Sequence, residues 1–248
     1  MVLSVRKEIW LGAVPSLKDT PAERYLLRRG IDLGVLGRQP RALRCHPALW
    51  DKVTKRHWPA LVALVNTPGG VDGPNCAVHR IWLTADGQKA PIPPTENGQQ
   101  QVKRGYGPKR GGWIPLSRGQ GADGRGGKPL RQAPEGSAVW LAEGIEDGLS
   151  IALLTGGADR VLAAIDLGNM ALMELLPAIS TIVIAGQNDE WWSDGQDRTH
   201  GTRIGLDKAI RHFQQQGREV RVWRTDKPGC KDANDHIRRV LEEGRNVA

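Results

Sequence analysis

Cysteine, tyrosine and phenylalanine are scarce in this sequence: three Cys, two Tyr and one Phe among 248 residues. Cys45, Cys76 and Cys230 are far apart, odd in number and without a CxxC pair. That excludes a disulfide framework and a zinc ribbon, and a reducing cytoplasm is the simplest setting. No apolar run approaches the ~18 residues of a membrane span, and the N-terminus lacks the basic-then-apolar pattern of a secretory signal. No membrane partner is therefore expected, and no internal repeat is visible. What is present is ordinary for a globular protein, with 39% hydrophobic and 25% charged residues. The chain is long enough for one large domain or two modest ones.

The formal net charge of +8 is unevenly spread. Residues 1–136 carry 22 Lys+Arg against 10 Asp+Glu, whereas residues 137–248 carry 13 against 17. A basic half joined to a mildly acidic half suggests one part that holds a polyanion and another that holds metal. The alternative is a solvated surface that happens to be basic.

Residues 1–18 show little pattern. Thr20-Pro21-Ala-Glu23 has the chemistry of a helix start, with threonine as N-cap, proline at N1 and glutamate at N3. The helix should run through Arg29, stop at Gly30, and present Arg24, Arg28 and Arg29 outward. From Leu43 the pattern turns to β. Residues 42–46 and 60–65 are strand-like, Thr67-Pro-Gly-Gly70 is turn chemistry, and Cys76–Leu83 alternates apolar with polar residues before the tight turn Ala85-Asp-Gly87. Residues 40–90 thus read as a small antiparallel sheet.

Residues 91–136 differ. Ten glycines lie between Gly98 and Gly127, and eight Lys/Arg but one acid, Asp123, between Lys103 and Arg131. Such composition predicts a loop or linker that cannot bury a core, with a short strand at 111–116. Tyr106 and Trp113 among the basic residues suggest an electrostatic funnel with stacking platforms for a single strand. A merely soluble linker is the alternative.

From residue 137 the alternation is regular. Strands are predicted at 138–142, 161–165, 181–185 and 219–223, with helices at 145–155, near 169–176, near 202–216 and near 233–243. This implies βαβ units around a parallel sheet. Acidic residues recur at strand exits: Glu143, Asp189, and the pair Asp232 and Asp235. Ligands bind at the carboxyl rim of open α/β sheets, and clustered carboxylates suit a hard divalent cation. Asp232 also has the position of a helix cap.

In combination, Glu143-Gly-Ile-Glu-Asp-Gly-Leu-Ser, Val183-Ile-Ala with Asn188-Asp189, the Gly201…Gly205…Ala209 helix and Lys231-Asp-Ala-Asn-Asp235 resemble the Toprim domain of bacterial-type primases, type IA and II topoisomerases and some nucleases. The likeness covers about 137–240. Upstream, Tyr25-Leu-Leu-Arg-Arg-Gly-Ile31, the 60–65 strand, His79-Arg-Ile-Trp-Leu83 and Asp86-Gly-Gln-Lys-Ala90 are similar to the N-terminal part of phage and plasmid Toprim primases. The resemblance implies an α/β fold: a C-terminal Toprim domain, 137–248, with a four-stranded parallel sheet flanked by helices. A basic α+β domain, 1–136, would precede it and include the Gly-rich basic loop at about 91–136.

The function implied is that of a DNA primase in DNA replication. Such an enzyme is a DNA-directed RNA polymerase that makes short primers from NTPs on a single-stranded DNA template by divalent-metal nucleotidyl transfer. Mg²⁺ or Mn²⁺ would be the cofactor and a replicative helicase a partner. Glu143 and Asp189 would be catalytic, and Glu143, Asp189, Asp232 and Asp235 would hold metal. Arg56, Arg80, Lys89, Lys103, Arg104, Lys109, Arg110 and Lys231 would contact nucleic acid or NTP. One position departs from the pattern: the first Asp of the family's DxD falls on Gln187, which offers a carbonyl oxygen but no charge. Asp166, Glu190, Asp194 and Asp197 are candidates to compensate. Two alternatives follow, a catalytically weak nucleic-acid-binding Toprim module and a Toprim nuclease. A topoisomerase needs a nucleophilic tyrosine, and neither Tyr25 nor Tyr106 has a recognisable setting.

Overall fold

The computed structural model describes residues 5–67, 77–120, 126–188 and 198–245. The chain forms two compact units, Met1–Lys109 and Arg110–Ala248. The division falls earlier than the 136/137 change of composition.

The first unit is a four-stranded antiparallel sheet in the order β1-β2-β3-β4: β1 (Leu43–Asp51), β2 (Arg56–Val65), β3 (Ala77–Trp82) and β4 (Lys103–Tyr106). Strand β1 continues through Pro47 because it is an edge strand and bulges between His46 and Leu49, the setting in which proline is tolerated. Helix α1 (Val5–Leu11) lies in a stretch without sequence pattern. Its Ile9 joins Ala60, Val62, Val78, Trp82 and Val102 in one core. Val102, within the predicted linker, is 5% exposed, and the strand after it completes the sheet. The expectation that 91–136 buries nothing fails for this reason: short apolar runs between glycines suffice once they pair with an existing sheet edge.

Helix α2 (Pro21–Arg28) begins as its residues dictate. The Thr20 hydroxyl accepts the Glu23 N–H, the Glu23 carboxylate accepts the Asp19 N–H at 2.7 Å, and Gly30 follows the helix with φ +72°. Its arginines have local work: Arg24 donates to the Ala85 carbonyl and Arg28 to that of Asp86. Gly87 has φ +82°, and a Cβ there would lie 2.6 Å from the Tyr25 nitrogen. The Asp86-Gly87 turn is therefore a docking point for α2.

The second unit holds a five-stranded sheet in the order β5-β7-β6-β8-β9. Its strands are β5 (Ile114–Arg118), β6 (Ser137–Ala142), β7 (Arg160–Ala163), β8 (Ile179–Ala185) and β9 (Glu219–Trp223). The last four are parallel, as expected, and β5 adds an antiparallel edge against β7. Trp113, Ile114 and Leu116 are buried in this unit. The buried Asn169 amide secures the entry to β5: it accepts the Gly111 N–H at 2.8 Å and donates to the carbonyls of Gly112 and Ala164 at 2.8 and 2.7 Å.

Helix α3 (Ile145–Leu154) connects β6 to β7, and α4 (Leu167–Met170) is a single turn where a longer helix was expected. Helix α5 (Arg198–Gln215) connects β8 to β9, and α6 (Ala233–Arg245) follows β9. Val139, Leu141, Ile182 and Ile184 form a core with Phe213 and Ala209 of α5. Gly148 lets α3 approach β5: a Cβ there would lie 2.4 Å from a Leu116 methyl. From β6 the chain steps first to β7 on one side and then to β8 on the other. The strand order reverses at β6 and β8, and the crevice at such a reversal is where open α/β sheets take ligands.

Candidate functional site

Glu143 and Gln187 flank that reversal. Glu143 directly follows β6, and Gln187 lies two residues past β8. Backbone bonds hold the β8 exit in place. Gly186 N–H donates to the Trp223 carbonyl at 2.8 Å and Asn188 N–H to that of Lys231 at 2.7 Å. The Asn188 amide adds a bond to the Thr225 carbonyl at 2.8 Å. With its backbone fixed, Gln187 turns its amide to Glu143, Nε2 to Oε2 3.4 Å.

Asp147 is a residue of the candidate site that sequence reasoning missed. It lies in the first turn of α3, whereas Glu143 stands before the Gly144 cap, in the link between β6 and that helix. The run of three acids at a strand exit, Glu143-Gly-Ile-Glu146-Asp147, was the available signal. Its carboxyl is pushed up to about 7, first by burial, then by the charges of Asp232 and Glu146, against a hydrogen bond from the Asn234 N–H, with Glu143 adding a smaller push. Glu146 is itself buried. Helix α6 supplies Asp232 through two ties to α3: Asn234 N–H donates to Asp147 Oδ1 at 3.3 Å, and the Asn234 amide donates to the buried Ser150 hydroxyl at 3.1 Å.

The remaining acids divide. Asp232 caps α6 by accepting the Asp235 N–H at 2.9 Å. Asp235 turns to its own helix start, accepting the Lys231 N–H at 3.3 Å and standing 4.0 Å from Arg238. Asp166 caps α4 through the Asn169 N–H at 2.7 Å. Asp189, Glu190, Asp194 and Asp197 lie outside the described residues. The structure thus places Asp147 within reach of the charges of Asp232 and, more weakly, Glu143, and engages Asp235 elsewhere.

Among the described residues no group of three Asp, Glu, His or Cys side chains stands ready to hold a metal ion. The donor chemistry nevertheless fits one. Burial first, and then the charges of Asp232 and Glu146, push the Asp147 carboxyl up to about 7, and an all-oxygen set of that kind suits a hard dication.

The basic candidates are scattered over both units. Arg80 and Arg104 face each other across β3 and β4, with guanidinium carbons 4.8 and 4.2 Å from the Trp82 ring centroid. Burial first, and then Arg104, pull the Arg80 pKa down to about 10. Arg104 is ion-paired with Asp51. Burial raises the Asp51 carboxyl, but the Thr54 hydrogen bonds and Arg104 outweigh it and hold the pKa below the ordinary value. Lys103 pairs with Ile81, and the two-residue period of a strand sends it to the opposite face from Arg104. Arg56 is exposed at the start of β2, Lys89 is exposed beyond β3, and Lys109 is half-buried at the end of the first unit. Arg110 and Lys231 are exposed in the second unit. Tyr106 is 42% exposed and available for stacking, whereas Trp113 is 8% exposed and belongs to the core. The expectation of a Trp113 platform fails because its ring completes the hydrophobic layer beside β6 and β7.

Comparison with known proteins agrees with this architecture. Residues 138–243 match the model of the Toprim domain, and residues 5–116 match that of a domain of unknown function, DUF7146. No curated protein matches the sequence. Among solved structures, a DNA primase domain from Pseudomonas aeruginosa aligns with a TM-score of 0.55 at 11% identity, over 98% of this chain and 78% of that one. The primase fragment of the bacteriophage T7 primase-helicase protein aligns with a TM-score of 0.50 at 15% identity, over 94% of this chain and 78% of the other. At these identities the likeness is one of fold. Toprim domains in general bind divalent metals. Residues 138–243 are a Toprim domain, and the chain as a whole has the fold of a bacterial-type primase core.

Proposed function

We propose that this protein is a primase-type nucleotidyltransferase that makes short primers from NTPs on single-stranded DNA with Mg²⁺ or Mn²⁺. The observation that carries the reading is the acid group at the strand-order reversal. Burial first, then the charges of Asp232 and Glu146, with a smaller push from Glu143, raise the Asp147 carboxyl there to about 7. Glu143, Asp147 and Asp232 would hold the ion. A divalent ion at such a site supplies positive charge for the phosphates and lowers the pKa of a hydroxyl. Glu143 receives the proton of the primer 3′-hydroxyl, and the Asn234 N–H holds the Asp147 carboxyl at the start of α6. The basic first unit holds template and NTP phosphates, with Arg80 and Tyr106 its best-placed groups. A replicative helicase is the partner this function calls for.

Gln187 favours a second reading. An amide directed at Glu143 removes one charge from the cage and occupies the principal acid, as suits a Toprim module that binds nucleic acid and turns over weakly. A gel assay with single-stranded DNA, NTPs and either metal separates the readings. Template-dependent ribo-oligomers support the first, bound but unreacted DNA supports the second, and strand cutting contradicts both.

A further inference from the structure

Three arginines lie in one cross-strand row of the first sheet: Arg44 opposite Val62, Val62 opposite Arg80, and Arg80 opposite Arg104. In-register partners share a face. Arg44 is spoken for, since its guanidinium lies 4.2 Å over the Trp10 ring and donates to the Trp10 carbonyl. The other two share the Trp82 ring but differ in their company. Arg104 is ion-paired with Asp51, whose side chain is 0% exposed. Asp51 is held by the Thr54 N–H at 2.8 Å and hydroxyl at 2.7 Å, and that hydroxyl accepts the Trp58 indole N–H at 3.0 Å. The carboxylate is therefore built into the sheet end and cannot follow Arg104 elsewhere.

Arg80 has different partners. Its hydrogen bonds go to the carbonyls of Arg104 and Gly105, at 3.4 and 3.2 Å. Among the described residues no carboxylate forms an ion pair with it. Its guanidinium lies 5.1 Å from the ring centroid of the exposed Tyr106. A cation beside an exposed ring is the unit that single-stranded nucleic acid uses, with phosphate on the charge and base on the ring.

We infer that Asp51 is a positioning residue. By neutralising Arg104 and fixing it against Trp82, it leaves Arg80, beside Tyr106, as the cation of this row that meets a phosphodiester. Arg104, the more obvious candidate in the Lys103-Arg104 sequence, is then a spacer rather than a contact. The inference rests on the reading that the first unit binds single-stranded nucleic acid, and it deepens that reading.

Salt dependence tests it, because a cation already paired with a carboxylate releases no counterion. The affinity of the full chain for a labelled single-stranded oligonucleotide is measured against salt, with thermal melts of every variant. Arg80→Gln should flatten the log–log slope by about 0.7, the value for one phosphate on a single strand. Asp51→Asn should steepen it by about as much, because Arg104 is released. The double variant Asp51→Asn/Arg104→Gln should keep the wild-type slope. Asp51→Asn alone leaves the Arg104 charge uncompensated, whereas the double variant removes both charges together, so this variant is the one expected to fold even where Asp51→Asn alone does not. If the double variant flattens the slope as much as Arg80→Gln does, Arg104 meets phosphate and the inference is overturned. If the wild-type chain shows no salt-dependent binding, the underlying reading fails instead.

Discussion

The Gln187 amide donates to the Glu143 carboxylate across 3.4 Å, where β8 and β6 end on either side of the strand-order reversal. A carboxylate in place of that amide would repel Glu143 in the absence of metal and join it in the presence of one. Gln187→Asp should therefore bind Mg²⁺ and Mn²⁺ several-fold more tightly than wild type. The wild type itself should prefer Mn²⁺, which binds N/O sites more tightly and accepts amide ligands more readily. Calorimetric titration of both metals into both proteins checks this. Unchanged affinity in Gln187→Asp would place residue 187 outside the metal shell.

Asp147 makes the metal-free protein sensitive to pH. Its folded pKa, about 7, lies above that of an unfolded aspartate. The folded state therefore holds the proton more firmly, and the associated stability is present below about pH 4 and is lost as pH rises to about 7. The melting temperature of metal-free protein should fall across that window by several degrees. Asp147→Asn should remove the slope and raise the melting temperature at pH 8. A slope that survives in Asp147→Asn would assign the effect to another group.

The two aromatic residues of the basic stretch should part company on mutation. Tyr106→Ala should weaken single-strand binding by about 1–3 kcal/mol with little change in melting. Trp113→Ala should instead destabilise the second unit by about 3–5 kcal/mol, the cost of emptying a buried aromatic site. Denaturant unfolding and oligonucleotide titration separate the two effects.

Gly87 supports α2 through a backbone approach that no other residue can make. Gly87→Ala brings a Cβ against the Tyr25 nitrogen at a positive φ and should cost about 2 kcal/mol or more. Urea denaturation measures it. A loss below about 0.5 kcal/mol would mean that the turn and helix separate easily.

The parallel sheet was legible because its strands are short apolar runs bounded by glycine and acid, alternating with helical periods. Glu143 and the Asp232 cap stood out through position alone, at the junction of such runs. Asp147 did not, since an acid in the first turn of a helix reads as ordinary charge complementarity until α6 is packed against it. Helix α1 carries one buried residue, Ile9, too little periodicity to register. The strand Lys103–Tyr106 reads as loop for a related reason, whereas the short strand expected at 111–116 is present as β5 (Ile114–Arg118). Composition averages over glycines, whereas Val102, Ile114 and Leu116 are buried by the sheet edges they meet. Nor does adjacency in sequence show that Lys103 and Arg104 face opposite ways, or that Asp51, more than fifty residues earlier, neutralises one of them.

The central claim is that Glu143 does chemistry rather than support the fold. Wild type and Glu143→Gln, matched by melting temperature, are compared for ribo-oligomer synthesis on single-stranded DNA with NTPs in Mg²⁺ and in Mn²⁺. The account predicts template-dependent product from wild type, stronger in Mn²⁺, and at least a ~100-fold loss in Glu143→Gln with the fold intact. Equal turnover by the two proteins would contradict it.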